Sequence, residues 1–237
     1  MVEGPRVVAA ALDRRASLER VYVSIGAATA FAPLVERLHA AGVPVAELKE
    51  GVLEKVGLTR TPQPVLGVAT GAPLALGPIP GSGVAVIAVD VADPGNLGTI
   101  IRSAESAGAD GIVVCGISVD PHNPKVVRSS AGALFGVTVM QAGDPMEVLE
   151  TVGATGRRLI GTTARGGAPY DSVDLAGPSA LVIGNEARGL DASVQRRLSI
   201  LVSIPMAEAA ESLNVAMAAT VVLFEAARQR RLAGADR

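Results

Sequence analysis

The stretch "DPGNLGTIIRS" places an amide and a guanidinium six residues apart, just after an apolar strand. Asn96 follows an apolar strand and is predicted to cap the helix that begins there, and Arg102 lies under two turns further along. A guanidinium stays charged and presents several N–H donors, so it binds phosphates and stabilises developing oxyanions. Taken alone, the pattern is also typical of a solvated arginine behind an ordinary helix cap.

A second loop, "VIGNEARGLD", also follows an apolar strand. Gly184 and Gly189 bracket Asn185, Glu186 and Arg188. The two glycines let the backbone approach a ligand closely, and we expect Gly184 to leave room for ligand entry. We expect the backbone at Asn185 to matter more than its side chain. The alternative is a tight turn between a strand and a helix that binds nothing.

A third loop, "IPMAEAAESLNV", connects an apolar strand to a long apolar helix. Ser212 is predicted to cap that helix, which leaves Leu213 and Asn214 to face a site. The alternative is that both polar residues only cap the helix.

The hydrophobic patterns that surround these loops predict an α/β protein. Residues 1–75 alternate short strands and helices, residues 76–83 form a Pro- and Gly-rich linker, and residues 84–237 repeat strand, loop and helix. Unbroken apolar strands are typical of a mostly parallel sheet covered on both faces. Ligands collect at the carboxyl ends of such strands, where all three loops lie. The first helix begins so close to Met1 that we expect an upstream segment to be missing.

Composition narrows the classes of function. The chain has 237 residues and a net charge of −2, which argues against sequence-blind binding of nucleic acid. Cys115 is the only cysteine and is predicted to be a buried apolar residue, and His39 and His122 are too isolated for a metal site. No segment has the pattern of a signal peptide or the length to span a bilayer. We therefore expect a soluble cytoplasmic protein with no membrane partner and no metal.

In this order and spacing, the three loops resemble the three signature motifs of the SpoU/TrmH family of RNA ribose 2′-O-methyltransferases, in the SPOUT superfamily. The resemblance covers residues 83–231, and residues 1–75 look more loosely like the small RNA-recognising domain of many members. The motifs are matched by Asn96, Gly98 and Arg102, by Gly184, Glu186 and Gly189, and by Ile204–Met206 with Ser212–Val215.

The resemblance implies a fold that composition alone would not predict. Composition favours a Rossmann-type sheet, because true knots are rare. The resemblance instead implies a methyltransferase domain over residues 84–237 with a deep trefoil knot. It also implies a small α/β RNA-binding domain over residues 1–75, similar to a ribosomal-protein fold, and a homodimer whose active sites draw on both subunits.

The same resemblance implies a role for each matched residue. It makes S-adenosylmethionine the cofactor, bound by Thr162, Thr163, Gly184, Asn185, Gly189, Ile204, Met206 and Leu213. It makes Arg102 the catalytic centre, supported by Asn96, Glu186, Ser212 and Asn214. The stretch "KVVRSSAGALFGV" also looks like the family, and we expect Arg128 and Ser130 to contact RNA phosphate or a partner subunit.

The implied reaction is an in-line displacement, which requires that both reactants be held in line and that a weakly acidic hydroxyl lose its proton. A family proposal makes the arginine a general base, but a neutral guanidinium is very costly. We favour a role in which Arg102 binds phosphate and stabilises the developing alkoxide, and the proton acceptor stays open.

The substrate implied by the resemblance is RNA, with large-subunit ribosomal RNA ahead of transfer RNA. Two other classes compete. A dehydrogenase needs a Gly-x-Gly-x-x-Gly turn, which the first loop lacks. A non-catalytic RNA-binding member of the fold is the second alternative, and a cofactor titration would separate it from an enzyme.

Overall fold

The computed structural model describes residues 1–57, 61–71, 74–207 and 212–234. They form two units, each built around one sheet. The first unit has a sheet of strand order β1-β4-β2-β3, in which β2 and β3 are parallel and the other pairs are antiparallel. Its elements are β1 (Val2–Glu3), α1 (Pro5–Asp13), β2 (Leu18–Ser24), α2 (Ala32–Ala40), β3 (Val45–Leu48), α3 (Leu53–Val56) and β4 (Val65–Ala69).

The second unit has a sheet of order β10-β12-β9-β11-β6-β7-β8-β5, in which every described pair is parallel. Its strands are β5 (Leu74–Ala75), β6 (Val84–Val89), β7 (Gly111–Cys115), β8 (Val139–Gln141), β9 (Arg158–Thr162), β10 (Ala168–Pro169), β11 (Ser179–Ile183) and β12 (Ile200–Ser203). Its α-helices are α4 (Pro94–Ser106), α5 (Pro124–Ser129), α6 (Pro145–Gly153), α7 (Ala192–Gln195) and α8 (Val215–Leu232).

The prediction of an α/β fold with a mostly parallel sheet is confirmed. Every residue of β6, β7 and β11 is buried, as expected for central strands with helices on both faces. The division of the chain at residues 75 and 83 stays a prediction. Leu74 and Ala75, which the sequence assigns to the first unit, pair with β8 of the second sheet.

Three helix boundaries differ from the sequence prediction. The sequence pattern of residues 49–58 predicts a helix, but up to Gly57, where the described residues stop, only α3 forms, because Gly51 adopts φ +79° just before it. The pattern of residues 123–136 predicts one short helix, but it breaks at Ala131 and Gly132, which both have positive φ, so α5 is followed by a separate 3₁₀ turn over Ala133–Phe135. The cap of α4 is Asp93 rather than Asn96.

The position of Pro94 explains that difference. Proline favours the first helical position, so the cap falls on the residue before it. Asp93 accepts a hydrogen bond from the backbone N–H of Asn96 at 2.8 Å. Asn96 therefore lies inside the first turn, and its side chain is free for another role.

The two units pack directly on each other. The Arg14 guanidinium, just after α1, binds the Glu105 carboxylate of α4 at 2.6 Å. A Cβ at Gly136 would lie 2.0 Å from that carboxylate, so glycine makes room for the ion pair. One buried apolar cluster includes Val8 and Leu18 of the first unit and Ile100 of α4. No helix in the described parts of the chain is long and apolar enough to cross a membrane.

Candidate active site

The second and third loops meet around one cavity of about 330 Å³ at the carboxyl edge of the parallel sheet, and the end of β9 completes its wall. That volume lies within the range of roughly 300–1,000 Å³ typical of small-molecule sites. All eight residues expected to bind the cofactor line it, as do two of those expected to support catalysis. They are Thr162, Thr163, Gly184, Asn185, Gly189, Ile204, Met206 and Leu213, with Glu186 and Ser212.

A chain of hydrogen bonds joins the three loops beside the cavity. Asn96 Nδ2 donates to Glu186 Oε1 at 3.1 Å, and the backbone N–H of Asp93 donates to the same oxygen at 3.2 Å. Asn214 Nδ2 donates to Asn96 Oδ1 at 2.9 Å. One side chain from each loop is thus fixed relative to the other two. Asn96 and Asn214 do not line the cavity themselves and reach it through Glu186.

Asn214 caps α8, which corrects the prediction that Ser212 does so. Asn214 Oδ1 accepts from the backbone N–H groups of Ala216 and Met217 at 2.9 and 3.3 Å. Ser212 lies before the cap and lines the cavity instead. The amide of Asn214 serves both purposes, because its oxygen caps the helix while its nitrogen binds Asn96.

The side chain of Asn185 matters more than predicted. Asn185 Oδ1 accepts from the backbone N–H groups of Ala187 and Arg188 at 3.0 and 3.1 Å, and Nδ2 donates to the Asp90 carbonyl at 2.9 Å. The backbone of Asn185 also pairs with Gly189 in an isolated bridge. We call residues 184–190 the cavity loop. The Asn185 amide stabilises this loop through hydrogen bonds within it and connects it to the end of β6.

Gly184 is required for a different reason from the expected one. A Cβ at Gly184 would lie 2.4 Å from the carbonyl carbon of Gly189 and 2.6 Å from the nitrogen of Leu190. Because these are backbone atoms of the same loop, a side chain would displace the loop itself. Glycine at this position closes the turn, whereas we expected it to leave room for a ligand.

Asp90 supports the same edge of the sheet and was missed from the sequence. It has φ +56° directly after β6, a conformation that aspartate adopts more readily than most residues. Its Oδ1 accepts from the backbone N–H of Ile117 at 2.7 Å. Its carbonyl is the one that binds Asn185, so Asp90 connects the loop after β7 to the cavity loop.

Three expected site residues lie away from the cavity. Arg102 is exposed on α4, and its guanidinium has no hydrogen-bond or ion-pair partner among the described residues. Arg128 is exposed in the last turn of α5. Ser130 is 0 % exposed, and its hydroxyl donates to the Val127 carbonyl at 2.9 Å. The prediction that Ser130 contacts RNA or a partner subunit is therefore wrong.

Two further kinds of chemistry are a metal site and a cysteine nucleophile. The described residues contain no group of three or more His, Cys, Asp or Glu side chains placed to hold a metal ion. Burial, with smaller contributions from the Asp90 and Asp144 charges, raises the pKa of the Cys115 thiol to about 12. Cys115 is thus a neutral buried residue at physiological pH and a poor nucleophile.

Several cavity residues carried no recognised signal. Arg188 lies in the glycine loop and lines the cavity, although its sequence pattern predicts no role for it. Val202, Ala218 and Val222 line the cavity from β12 and α8. The spacing of Ala218 and Val222 after Asn214, at one and two helical turns, was the available signal.

Comparison with known proteins identifies the family. The model of the SpoU rRNA Methylase family matches residues 83–224, and a model described as an MRM3-like substrate binding domain matches residues 1–67. The first match covers more than half of the chain. The chain therefore belongs to the SpoU rRNA methylase family.

Two relatives and one solved structure are informative. A 23S rRNA (uridine(2479)-2′-O)-methyltransferase of Streptomyces viridochromogenes is 44 % identical over 58 % of this chain and 50 % of its own length. A 23S rRNA (guanosine(2553)-2′-O)-methyltransferase of Bacillus subtilis is 35 % identical over 77 % of this chain and 72 % of its own. The crystal structure of the SpoU methyltransferase AviRb from Streptomyces viridochromogenes with AdoMet has a TM-score of 0.84 and 32 % identity, covering 98 % of this chain and 90 % of that one.

The alignments with these proteins cover different shares of their lengths. The chain spans half the length of the first relative and 72 % of the second. The structural likeness includes both units, since it covers nearly the whole chain.

Proposed function

We propose that this protein transfers a methyl group from S-adenosylmethionine to a ribose 2′-hydroxyl in RNA, with large-subunit ribosomal RNA as the substrate. The observation that carries the proposal is the cavity shared by the second and third loops, to which the hydrogen bonds from Glu186 through Asn96 to Asn214 join the first loop. The two relatives named above, both 23S rRNA 2′-O-methyltransferases, support the choice of substrate.

The cavity fits S-adenosylmethionine in size and in chemistry. Val202, Ile204 and Leu213 give it an apolar wall against which adenine can pack. Glu186 and Arg188 add one negative and one positive group, which suit a sulfonium and a carboxylate. When bound, S-adenosylmethionine supplies a methyl group on a good leaving group, so the transfer needs no metal.

The residues of this chain position the RNA and manage charge. Glu186 holds Asn96 by accepting its amide N–H, which fixes the first turn of the helix that carries Arg102. Arg102 binds the phosphate of the target nucleotide and stabilises the alkoxide that forms as the 2′-hydroxyl loses its proton. Its exposed guanidinium, with no partner among the described residues, supports this role.

The reaction is tested with unmodified 23S rRNA and with transfer RNA, using radiolabelled S-adenosylmethionine and mapping of 2′-O-methyl sites. We expect ribose methylation of 23S rRNA. If only transfer RNA is methylated, transfer RNA and not 23S rRNA is the substrate. Cofactor binding without methyl transfer to either RNA would favour the non-catalytic alternative.

Arg102→Ala and Arg102→Lys are compared for cofactor affinity and turnover. We expect Arg102→Ala to keep cofactor affinity and lose about 10²–10³-fold in kcat, the usual cost of one oxyanion donor.

We also propose that the active protein is a homodimer with composite active sites. Arg102 does not line the cavity of its own chain, which supports a site that an arginine from a second copy completes. Met217 and Phe224, 57 % and 46 % exposed, lie two turns apart on α8 and form an apolar face. This helix packs against α4, where Ser103 and Thr220 share a hydrogen bond of 2.6 Å. The apolar face therefore lies on the helix pair that carries Arg102.

A mixed dimer tests that arrangement. Gly184→Trp displaces the loop that lines the cavity, and Arg102→Ala removes the guanidinium, so each variant alone is expected to be inactive. If the sites are composite, equal mixing restores about a quarter of the wild-type activity, because half of the dimers are mixed and each has one complete site. No recovery in mixtures that contain mixed dimers would contradict a composite site.

Three finer features belong to the same proposal. The RNA-recognition role of residues 1–75 is supported by the substrate-binding family model over residues 1–67.

A deep trefoil knot is supported by the strand order, because β12 lies beyond β9 while α8 returns to pack on α4 and β11. A crystal structure traced through residues 208–211, which lie outside the described residues, would test the knot. A cytoplasmic location follows from a ribosomal RNA substrate, and fractionation of cells would test it.

A further inference from the structure

A second cavity, of about 550 Å³, lies between the first and the second unit. One wall is formed by the end of α1 and the segment after β4, and the other by residues around α5 and β8. None of the roles assigned above uses this cavity. We call it the interunit groove.

Two arginines line the interunit groove. Arg14 and Arg15 line it together with His122, and no Asp or Glu side chain is present among its described lining residues. Arg14 is neutralised by Glu105. Arg15 is exposed, adopts φ +55°, and its guanidinium has no hydrogen-bond or ion-pair partner among the described residues. A guanidinium without a partner in a concave site is suited to a phosphate.

The groove also holds an aromatic ring, although the chain has few. Phe135, one of three phenylalanines, is half-buried in the 3₁₀ turn after α5 and lines the groove. Leu134, Val137 and Val139 continue the apolar wall beside it. An aromatic face next to an unpaired guanidinium is the combination that binds single-stranded nucleotides, through stacking of the base and pairing of the phosphate.

The groove runs along the flank of the parallel sheet. His122 belongs to the loop after β7, at the carboxyl edge, whereas Phe135 precedes β8 and lies towards the amino edge. Arg15 belongs to the other unit. A strand of RNA in the groove would therefore contact both units.

We infer that the interunit groove binds a single-stranded segment of the RNA substrate, with one phosphate on Arg15 and one base on Phe135. The inference rests on the proposed function, because it assigns part of the substrate of that reaction to this groove. The volume admits about one nucleotide unit rather than a duplex. The groove would hold a nucleotide outside the active site and so help to select which RNA is methylated.

Binding of a short fluorescein-labelled oligouridylate, followed by anisotropy at several salt concentrations, tests the inference. Arg15→Gln removes the charge and places no new strain on the backbone, since both residues would hold the same φ. We expect weaker binding and a salt dependence shallower by about 0.7, the contribution of one phosphate contact to a single strand. Arg231→Gln is the matched control, because Arg231 is exposed at the far end of α8 and lines neither cavity. We expect no change for the control.

A second pair of variants tests the ring. Phe135→Tyr keeps an aromatic face, whereas Phe135→Leu keeps only apolar bulk. We expect Phe135→Leu to weaken oligouridylate binding about fivefold or more, and Phe135→Tyr to bind like the wild type. Thermal unfolding of both variants shows whether the fold is retained. Equal binding by the leucine and tyrosine variants would overturn the role of the ring.

Failure of this inference is distinguishable from failure of the proposed function. If methyl transfer to RNA is normal and Arg15→Gln changes neither affinity nor salt dependence, the groove does not bind RNA. With 23S rRNA as substrate, Arg15→Gln is expected to raise the KM for RNA while kcat and cofactor affinity stay unchanged. If the wild-type protein transfers no methyl group, the proposed function fails, whatever the oligouridylate experiment gives.

Discussion

Asn214 and Asn96, 118 residues apart in sequence, are joined by a hydrogen bond of 2.9 Å between their side-chain amides. Asn214 is at the same time the N-cap of α8, and Asn96 lies in the first turn of α4. The bond fixes the starts of two packed helices relative to each other. Because Asn96 is also held by Glu186, any shift of α8 is transmitted to the cavity loop.

The two functions of Asn214 are separable by substitution. Asn214→Asp keeps an oxygen for the cap but loses the N–H that binds Asn96, whereas Asn214→Ala loses both. We expect Asn214→Ala to lower the free energy of unfolding by about 0.5–2 kcal/mol, and Asn214→Asp to stay near wild type. Both should lower kcat for methyl transfer. Urea unfolding and turnover measure the two effects, and wild-type turnover of Asn214→Asp would show that the amide pair is not needed.

The close contact inside the cavity loop predicts a large effect of Gly184→Ala. The added methyl group would meet the Gly189 backbone at 2.4 Å, so the loop must move. We expect a weaker affinity for S-adenosylmethionine, by at least about tenfold, since this loop lines the cavity. Gly177→Ala is the control, because its Cβ would meet no atom within 4 Å. Calorimetric titration of both variants checks the prediction, and similar affinities would contradict it.

The central sheet was predictable because each of its strands is indicated by a run of apolar residues within a single segment. The apolar runs of β6 and β11 are unbroken, and burial on both faces is what such runs require. The first two loops were predictable for the same reason, since they follow β6 and β11, and the third follows the shorter strand β12. The two-residue strands β1 and β5 carried no comparable signal, because they exist only through pairing with β4 and β8.

The connections within the site were not predictable from local patterns. Asn185 and Asp90 are 95 residues apart, and nothing in either segment indicates that an amide of one binds a carbonyl of the other. Ser130 was expected to contact RNA phosphate or a partner subunit, but it is 0 % exposed beside the turn after α5, on which α1 packs. A Cβ at Gly132 would lie 2.4 Å from Ala10 Cβ, which shows how closely the two units approach there.

Asp90 should act on cofactor affinity through the loops that it connects. Asp90→Asn keeps an acceptor for the Ile117 N–H and adopts positive φ readily. Asp90→Gly adopts positive φ but has no acceptor, and Asp90→Ala has no acceptor and adopts positive φ only with strain. We expect losses of stability in the order Ala, Gly, Asn, with about 1–3 kcal/mol for alanine. Affinity for S-adenosylmethionine should fall in the same order. If Asp90→Ala and Asp90→Asn bind it equally well, Asp90 does not position the cavity loop.

Cys115 should make stability depend on pH in the alkaline range. Its pKa is raised by burial from 9.0 to about 12, so between these values the folded protein holds a proton that the unfolded chain releases. The stabilising contribution is therefore complete below pH 9 and is lost as pH rises towards 12. Between pH 8 and 10, the wild type should lose about 1.4 kcal/mol more unfolding free energy than Cys115→Ala, which cannot titrate. Urea unfolding of both proteins at the two pH values measures this difference. Parallel losses would mean that the thiol titrates alike in the folded and unfolded states.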